Sequence, residues 1–150
     1  EDKARSNWGE NADAYEERLA VLDQEYKTTV EQSQFKTVLF ADRFPFRYLT
    51  DDYELTYYAA FTGCSAETDA SFETITFLAG KLDELKLPVV FTIENSDQKI
   101  AKAVIENTKT KDQKILSLNS MQSVTKKEVE GGTTYLSIME NNLEILKEAL

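Results

Sequence analysis

Four short apolar runs, KTVLFA (36–41), YYAAF (57–61), VVFTI (89–93) and KILSL (114–118), alternate with helical patterns along this 150-residue chain. No other feature restricts the fold as strongly. A strand–helix–strand order repeated in this way builds a mostly parallel sheet covered by helices. The runs are almost continuously apolar, which suits strands buried on both faces. The expectation is an α/β fold: a four-stranded, mostly parallel sheet flanked by helices and preceded by one long helix.

That leading helix is read from Tyr15, Leu19, Leu22, Tyr26 and Val30, which recur at spacings of four, three, four and four over roughly residues 10–32. At 1.5 Å per residue it is about 33 Å long. Two readings fit it: a surface helix packed on one sheet face, or a backbone helix joining two lobes. Trp8 and Gly9 stand in a polar lead that enters the helix with no element before it, so the chain reads as a fragment.

Further helices follow from the same logic. Pro45 suits the first turn of a short helix to about Asp52, with Phe46 and Leu49 facing inward. Phe72, Ile75, Leu78, Leu82 and Leu85 make the inward stripe of a longer one ending before Pro88. Ile100, Ala103, Val104 and Asn107 mark another, which Ser96 or Asp97 could cap. Leu136, Met139, Leu143, Leu146 and Leu150 form the last, behind the Gly131-Gly132 break. Residues 120–132 read as a polar loop, and the whole as one α/β unit.

Charge and composition narrow the function. Hydrophobic content of 41% suits one domain with a real core. A net charge of −10 argues against nucleic acid and anionic membrane surfaces as partners, since both need a basic face, and makes a cation the more natural ligand. There is no apolar run of membrane-spanning length, and the amino end is charged where a signal peptide would be apolar. The single cysteine, Cys64, allows no internal disulfide and reads as a small buried residue. With no histidine, neither a Ser-His-Asp nor a Cys-His nucleophile system can form, nor can an imidazole zinc site from these residues alone. Neither glycine-rich phosphate motif occurs. The chain is not read as an enzyme.

In open parallel sheets, ligands bind beyond the carboxyl ends of the strands. The residues following the four runs are Asp42-Arg43, Gly63-Cys64-Ser65, Glu94-Asn95-Ser96 and Asn119-Ser120-Met121. All are polar, as binding loops and solvated helix caps both are. Glu94, directly after an apolar strand, stands out, although a solvated loop accounts for it equally. Arg43 and Arg47 lie four apart at the start of the short helix, to grip an anion or to pair with Asp42, Asp51 and Asp52.

The long helix, "KTVLFADRFPFRYLTDDYEL", "FTGCSAETDASFETITFLAGKLDELKLPVVFTIENS" and "TTYLSIMENNLEILKEAL" together resemble the carboxyl-terminal lobe of the substrate-binding lipoproteins of zinc and manganese ABC importers, in a Gram-positive branch of the metal-binding cluster A-I type. The resemblance covers nearly the whole chain. It implies two α/β lobes joined by a backbone helix, with residues 1–33 as that helix, 34–150 as the carboxyl-terminal lobe, and the amino-terminal lobe, signal peptide and lipidated cysteine upstream. It implies capture of a divalent metal ion, zinc or manganese, as cargo between the lobes. Delivery is to an ABC permease, by a monomer held as a lipoprotein at the extracellular face of the cytoplasmic membrane.

The family's first ligand in this lobe, a histidine or glutamate after the first strand, falls on Arg43, or on Asp42 if the register slips by one. Arginine stays protonated and cannot ligate a metal. The second, an aspartate after the last strand, falls on Asn119, whose amide oxygen is a weaker, neutral ligand. Asp42 and Asn119 are thus the metal candidates, with other ligands from the other lobe. Arg43, Glu67, Glu94 and Ser96 are expected to support the cleft. The alternative is a non-metal interaction or adhesin-like module that keeps the fold and has lost the site.

Overall fold

The computed structural model describes residues 2–62 and 69–150, with side chains for 8–61 and 69–150. Gly63, Cys64, Ser65 and Glu67 lie outside the described residues. Four strands, β1 (Thr37–Phe44), β2 (Thr56–Thr62), β3 (Val89–Ile93) and β4 (Lys114–Leu118), form one sheet in the order β2-β1-β3-β4, and every pairing is parallel. Among the described residues there are six helices: α1 (Asp2–Gln32), α2 (Arg47–Asp52), α3 (Phe72–Leu85), α4 (Lys99–Glu106), α5 (Lys126–Glu130) and α6 (Tyr135–Ala149).

The alternation of side chains along the strands divides the core into two layers. On one face Val38, Phe40, Phe44, Phe91 and Ile93 pack with Leu22, Tyr26 and Val30 of α1 and with Leu136, Leu143 and Leu146 of α6. On the other, Leu39, Ala41 and Val90 meet Leu78, Ala79 and Leu82 of α3 and Ala101 and Val104 of α4. All five residues of β3 are buried, as befits a central strand covered on both sides.

Several expectations are corrected. β1 does not end at Ala41; it runs on through Asp42 and Arg43 to Phe44. Its pairing with β2 slips between Phe40 and Arg43, so three residues of β1 advance against two of β2, as in a β-bulge. Charged residues can occupy a strand here because the bulge lies at the end of the ladder. Beyond it Phe44 returns to the core, where its ring stacks on Tyr57 at 3.9 Å. Arg43 is therefore in a strand, not paired with Arg47 on a helix; Arg47 instead binds Asp51 at 3.3 Å. Pro45 precedes α2, whose N-cap is Phe46.

Helix α1 begins well before residue 10 and, at 1.5 Å per residue, is about 46 Å long. The eight residues of β1 span about 26 Å, so the helix outruns the sheet. Leu22, Tyr26 and Val30 are buried, but Tyr15 is 42% exposed and all of residues 8–18 are exposed. Phe72 does not face inward; it is 72% exposed. It is the first residue of α3, where the backward tilt of helical side chains carries it past the helix start. Within the expected polar loop, Thr125 and Glu128 form a capping box that nucleates the short α5. The N-cap of α4 is neither Ser96 nor Asp97 but Gln98, in left-handed backbone at φ 60°.

Candidate functional site

The order β2-β1-β3-β4 means that the chain leaves β1 to one side for β2 and returns to the other side for β3. By the general rule for open parallel sheets, such a reversal puts the ligand crevice at the carboxyl ends of β1 and β3. Asp42 stands there. Its Oδ1 accepts the Arg43 backbone N–H at 2.8 Å, and its Oδ2 accepts the Ile93 N–H of β3 at a long 3.5 Å. The carboxylate so bridges the two strands that flank the crevice. A carboxylate has about four acceptor positions, so two hydrogen bonds leave capacity for another partner.

Arg43 lies beside it, Nε 4.0 Å from Asp42 Oδ1, with its side chain 43% exposed against 15% for Asp42. At that distance and exposure the pair contributes little to stability. Its effect is local: a permanent cation partly offsets the Asp42 charge.

Glu94, the residue after β3, does not point a free carboxylate into the crevice. Its Oε2 accepts the Ser120 N–H at 2.7 Å, and its Oε1 accepts the Ser120 hydroxyl at 2.7 Å, the Gln122 N–H at 3.2 Å and the Ser123 hydroxyl at 3.3 Å. Burial by itself would raise its pKa. The hydrogen bonds from Ser120 and Gln122 outweigh that and hold the carboxyl below the ordinary value. Glu94 thus ties the end of β3 to the loop after β4.

Asn119 opens that loop. Its side-chain oxygen accepts the Met121 N–H at 2.8 Å, leaving one lone pair. Its backbone is gripped from α6: Asn142 Oδ1 accepts the Asn119 N–H at 2.9 Å, and Asn142 Nδ2 donates to the Asn119 carbonyl at 2.9 Å. Asn142 is buried, and reading the sequence for strand-end residues missed it. Its signal was present, since position 142 falls on the apolar stripe of α6 between Met139 and Leu146, where a polar residue is out of place.

Ser96 Oγ accepts the Gln98 N–H at 3.3 Å, and Asp97 Oδ1 accepts the Lys99 N–H at 3.0 Å, so both shape the turn into α4. Asp42 lies in β1 and Asn119 just after β4, strands separated by β3 and so about 10 Å apart between backbones at the usual strand spacing. Among the described residues, no group of three or more His, Cys, Asp or Glu side chains is placed to hold a metal ion. Nor is any helix among them long and apolar enough to cross a membrane.

The periplasmic zinc-uptake complex component A (ZnuA) family matches residues 2–149. The chain belongs to the ZnuA family. This is a family of metal-uptake components rather than of enzymes. The chain is 30% identical over 146 residues to the zinc-binding lipoprotein AdcA of Streptococcus pneumoniae, covering 96% of this chain and 28% of AdcA. Its fold superimposes on the Zn(II)-bound ZnuA-like domain of that protein with a TM-score of 0.72 at 28% identity, over 96% of this chain and 52% of that one. It also superimposes on the laminin-binding protein Lmb of Streptococcus agalactiae, a bifunctional adhesin and metal transporter, with a TM-score of 0.79 over 99% of this chain and 55% of Lmb; at 23% identity that likeness concerns the fold. The chain therefore spans about half, or less, of the ZnuA-family proteins it matches.

Proposed function

We propose that this chain is the carboxyl-terminal lobe of a solute-binding protein that captures a divalent cation, zinc first and manganese second, for an ABC importer. The observation that carries the reading is Asp42, a carboxylate with spare acceptor capacity at the β1–β3 switch point of a chain in a zinc-uptake family. Asp42 supplies one oxygen to the cation. The second lone pair of the Asn119 amide is the further candidate from this lobe.

Zinc sites draw on imidazole, thiolate and carboxylate groups, usually four in number. This chain has no histidine, so the imidazoles come from the amino-terminal lobe that residues 1–33 join to the unit 34–150. The exposed stretch of α1 over residues 8–18 supports such a joining role. Arg43 balances Asp42 while the cleft is empty and yields to the stronger charge of the cation when it is filled. A net charge of −10 draws cations toward the molecule. The relatives named as lipoproteins support a membrane tether; in this reading the protein is a monomer at the extracellular face of the cytoplasmic membrane that hands its cargo to the permease.

The test is the zinc affinity of the full-length protein by competition with a chromophoric chelator, before and after Asp42→Ala. Loss of a ligand weakens binding beyond the roughly 10- to 100-fold cost of changing an outer partner. Unchanged affinity in the variant removes Asp42 from the site.

A further inference from the structure

Four donors converge on one carboxylate at the edge of the crevice. Ser120 gives both its N–H and its hydroxyl to Glu94, and Gln122 N–H and Ser123 hydroxyl complete the set. The donors come from one loop, residues 120–123, while the acceptor stands on a different strand end, 26 to 29 positions earlier. The same loop is held at its root by Asn142, whose side-chain amide pairs with both backbone groups of Asn119. Asn95, next to Glu94, adds a bond from Nδ2 to the Ser123 hydroxyl at 2.9 Å. Short irregular segments of this kind ordinarily sample several conformations, and hydrogen bonds to a charged acceptor are about twice as strong as neutral ones.

From this geometry we infer that Glu94 is a positioning residue for cation capture: it presets the loop after β4, and thereby the Asn119 oxygen, for the ligand that Asp42 meets from β1. The inference rests on the cation-capture reading above. Its physical content is preorganisation. A loop already locked in place loses no conformational freedom when the cation arrives, so the affinity of the site depends on a residue that never touches the metal. A carboxylate left free in the crevice would instead add a negative ligand. The four donors here consume that role, so Glu94 acts through the loop.

The experiment compares full-length wild-type protein with Glu94→Gln and Glu94→Asp, reading zinc affinity by calorimetry and amide hydrogen exchange at Ser120 and Gln122 in the zinc-free state. Glu94→Gln keeps the size and removes the charge. The expected result is exchange at both amides faster by about tenfold or more, the scale of losing one charged hydrogen bond. Zinc affinity falls about 10- to 100-fold, as for other outer partners of metal sites. Glu94→Asp restores part of both, because it restores the charge. Wild-type affinity in Glu94→Gln, or unchanged exchange at both amides, overturns the role assigned to Glu94. A wild-type protein that binds no zinc overturns the capture reading and this role with it, whereas loss confined to the variants separates the two.

Discussion

The rings of Tyr26 and Tyr53 stack with their centroids 5.0 Å apart and their planes 14° from parallel. The contact joins the carboxyl-terminal part of α1 to the residue that closes α2. Each phenol also holds a second element. Tyr26 donates to the Met139 carbonyl of α6 at 2.7 Å, and Tyr53 donates to Asp23 Oδ1 of α1 at 3.0 Å. Burial pushes both phenols well above their ordinary pKa, so they remain protonated donors throughout the working range. The carboxyl-terminal half of α1 is thereby fastened to the sheet layer while residues 8–18 stay exposed.

Tyr26→Phe removes one part-buried hydrogen bond while keeping the ring, and is expected to cost about 1 kcal/mol. Tyr26→Ala removes the ring from a fully packed position and costs about 3–5 kcal/mol. Urea unfolding followed by circular dichroism measures both. Equal losses in the two variants would mean that stacking and burial contribute nothing beyond the hydroxyl.

Asn142→Leu keeps the volume of a buried side chain but leaves the Asn119 N–H and carbonyl without their partner. Because those groups are only partly buried, the expected loss is about 1–3 kcal/mol in total. Chemical denaturation reads it directly. A variant more stable than the parent would show that water replaces the amide at no cost.

Stability is expected to fall in acid, partly through Glu94. Its carboxyl titrates below the ordinary value of 4.5 in the folded chain, so the unfolded state binds more protons between the two values. The contribution is therefore complete above the ordinary value and is lost as pH falls through the lower folded one. Asp23, whose carboxyl is lowered first by its hydrogen bond to Lys27, behaves in the same sense. The Glu94 share is isolated by the difference between wild type and Glu94→Gln in unfolding free energy. That difference is expected to shrink below about pH 4.5. A pH-independent difference contradicts it.

The start of α3 offers a test remote from the crevice. Ser71 Oγ accepts the Thr74 N–H at 3.1 Å, which satisfies one of the open donors of the first turn. Ser71→Ala is expected to cost about 1 kcal/mol, and Ser71→Gly less, measured by thermal unfolding. Zinc affinity in the full-length protein is expected to stay unchanged in both.

The α/β class and the parallel sheet were legible because KTVLFA, YYAAF, VVFTI and KILSL are central-strand runs with helical stripes between them. The end of β1 was not. Asp42 and Arg43 read as a loop by residue type, yet the backbone pairs through them by way of a bulge, a tertiary effect with no local signature. Helix α5 carries no apolar stripe, so only its Thr125–Glu128 capping box announced it. The extra length of α1 was hidden because residues 8–18 are all exposed, so no buried stripe marks that part of the helix. Within the candidate site, Asp42, Arg43, Glu94, Ser96 and Asn119 stood among the residues following the apolar runs and were singled out by the family resemblance, but the four bonds that occupy Glu94 depend on which strands become neighbours. Sequence order does not supply that until β3 is placed beside β4.

The most direct test of the proposed cation capture between two lobes is a thermal-unfolding titration of demetallated protein with zinc, run on residues 1–150 and on the full-length protein with the proposed amino-terminal lobe. A ligand that binds only the native state adds about 2.7 kcal/mol at 100 times its Kd. The account predicts that the full-length protein is stabilised by that order, and that residues 1–150, with Asp42 and Asn119 but no imidazole, respond weakly or not at all. If neither protein responds to zinc or manganese, the crevice at Asp42 is not a metal site and the account is wrong.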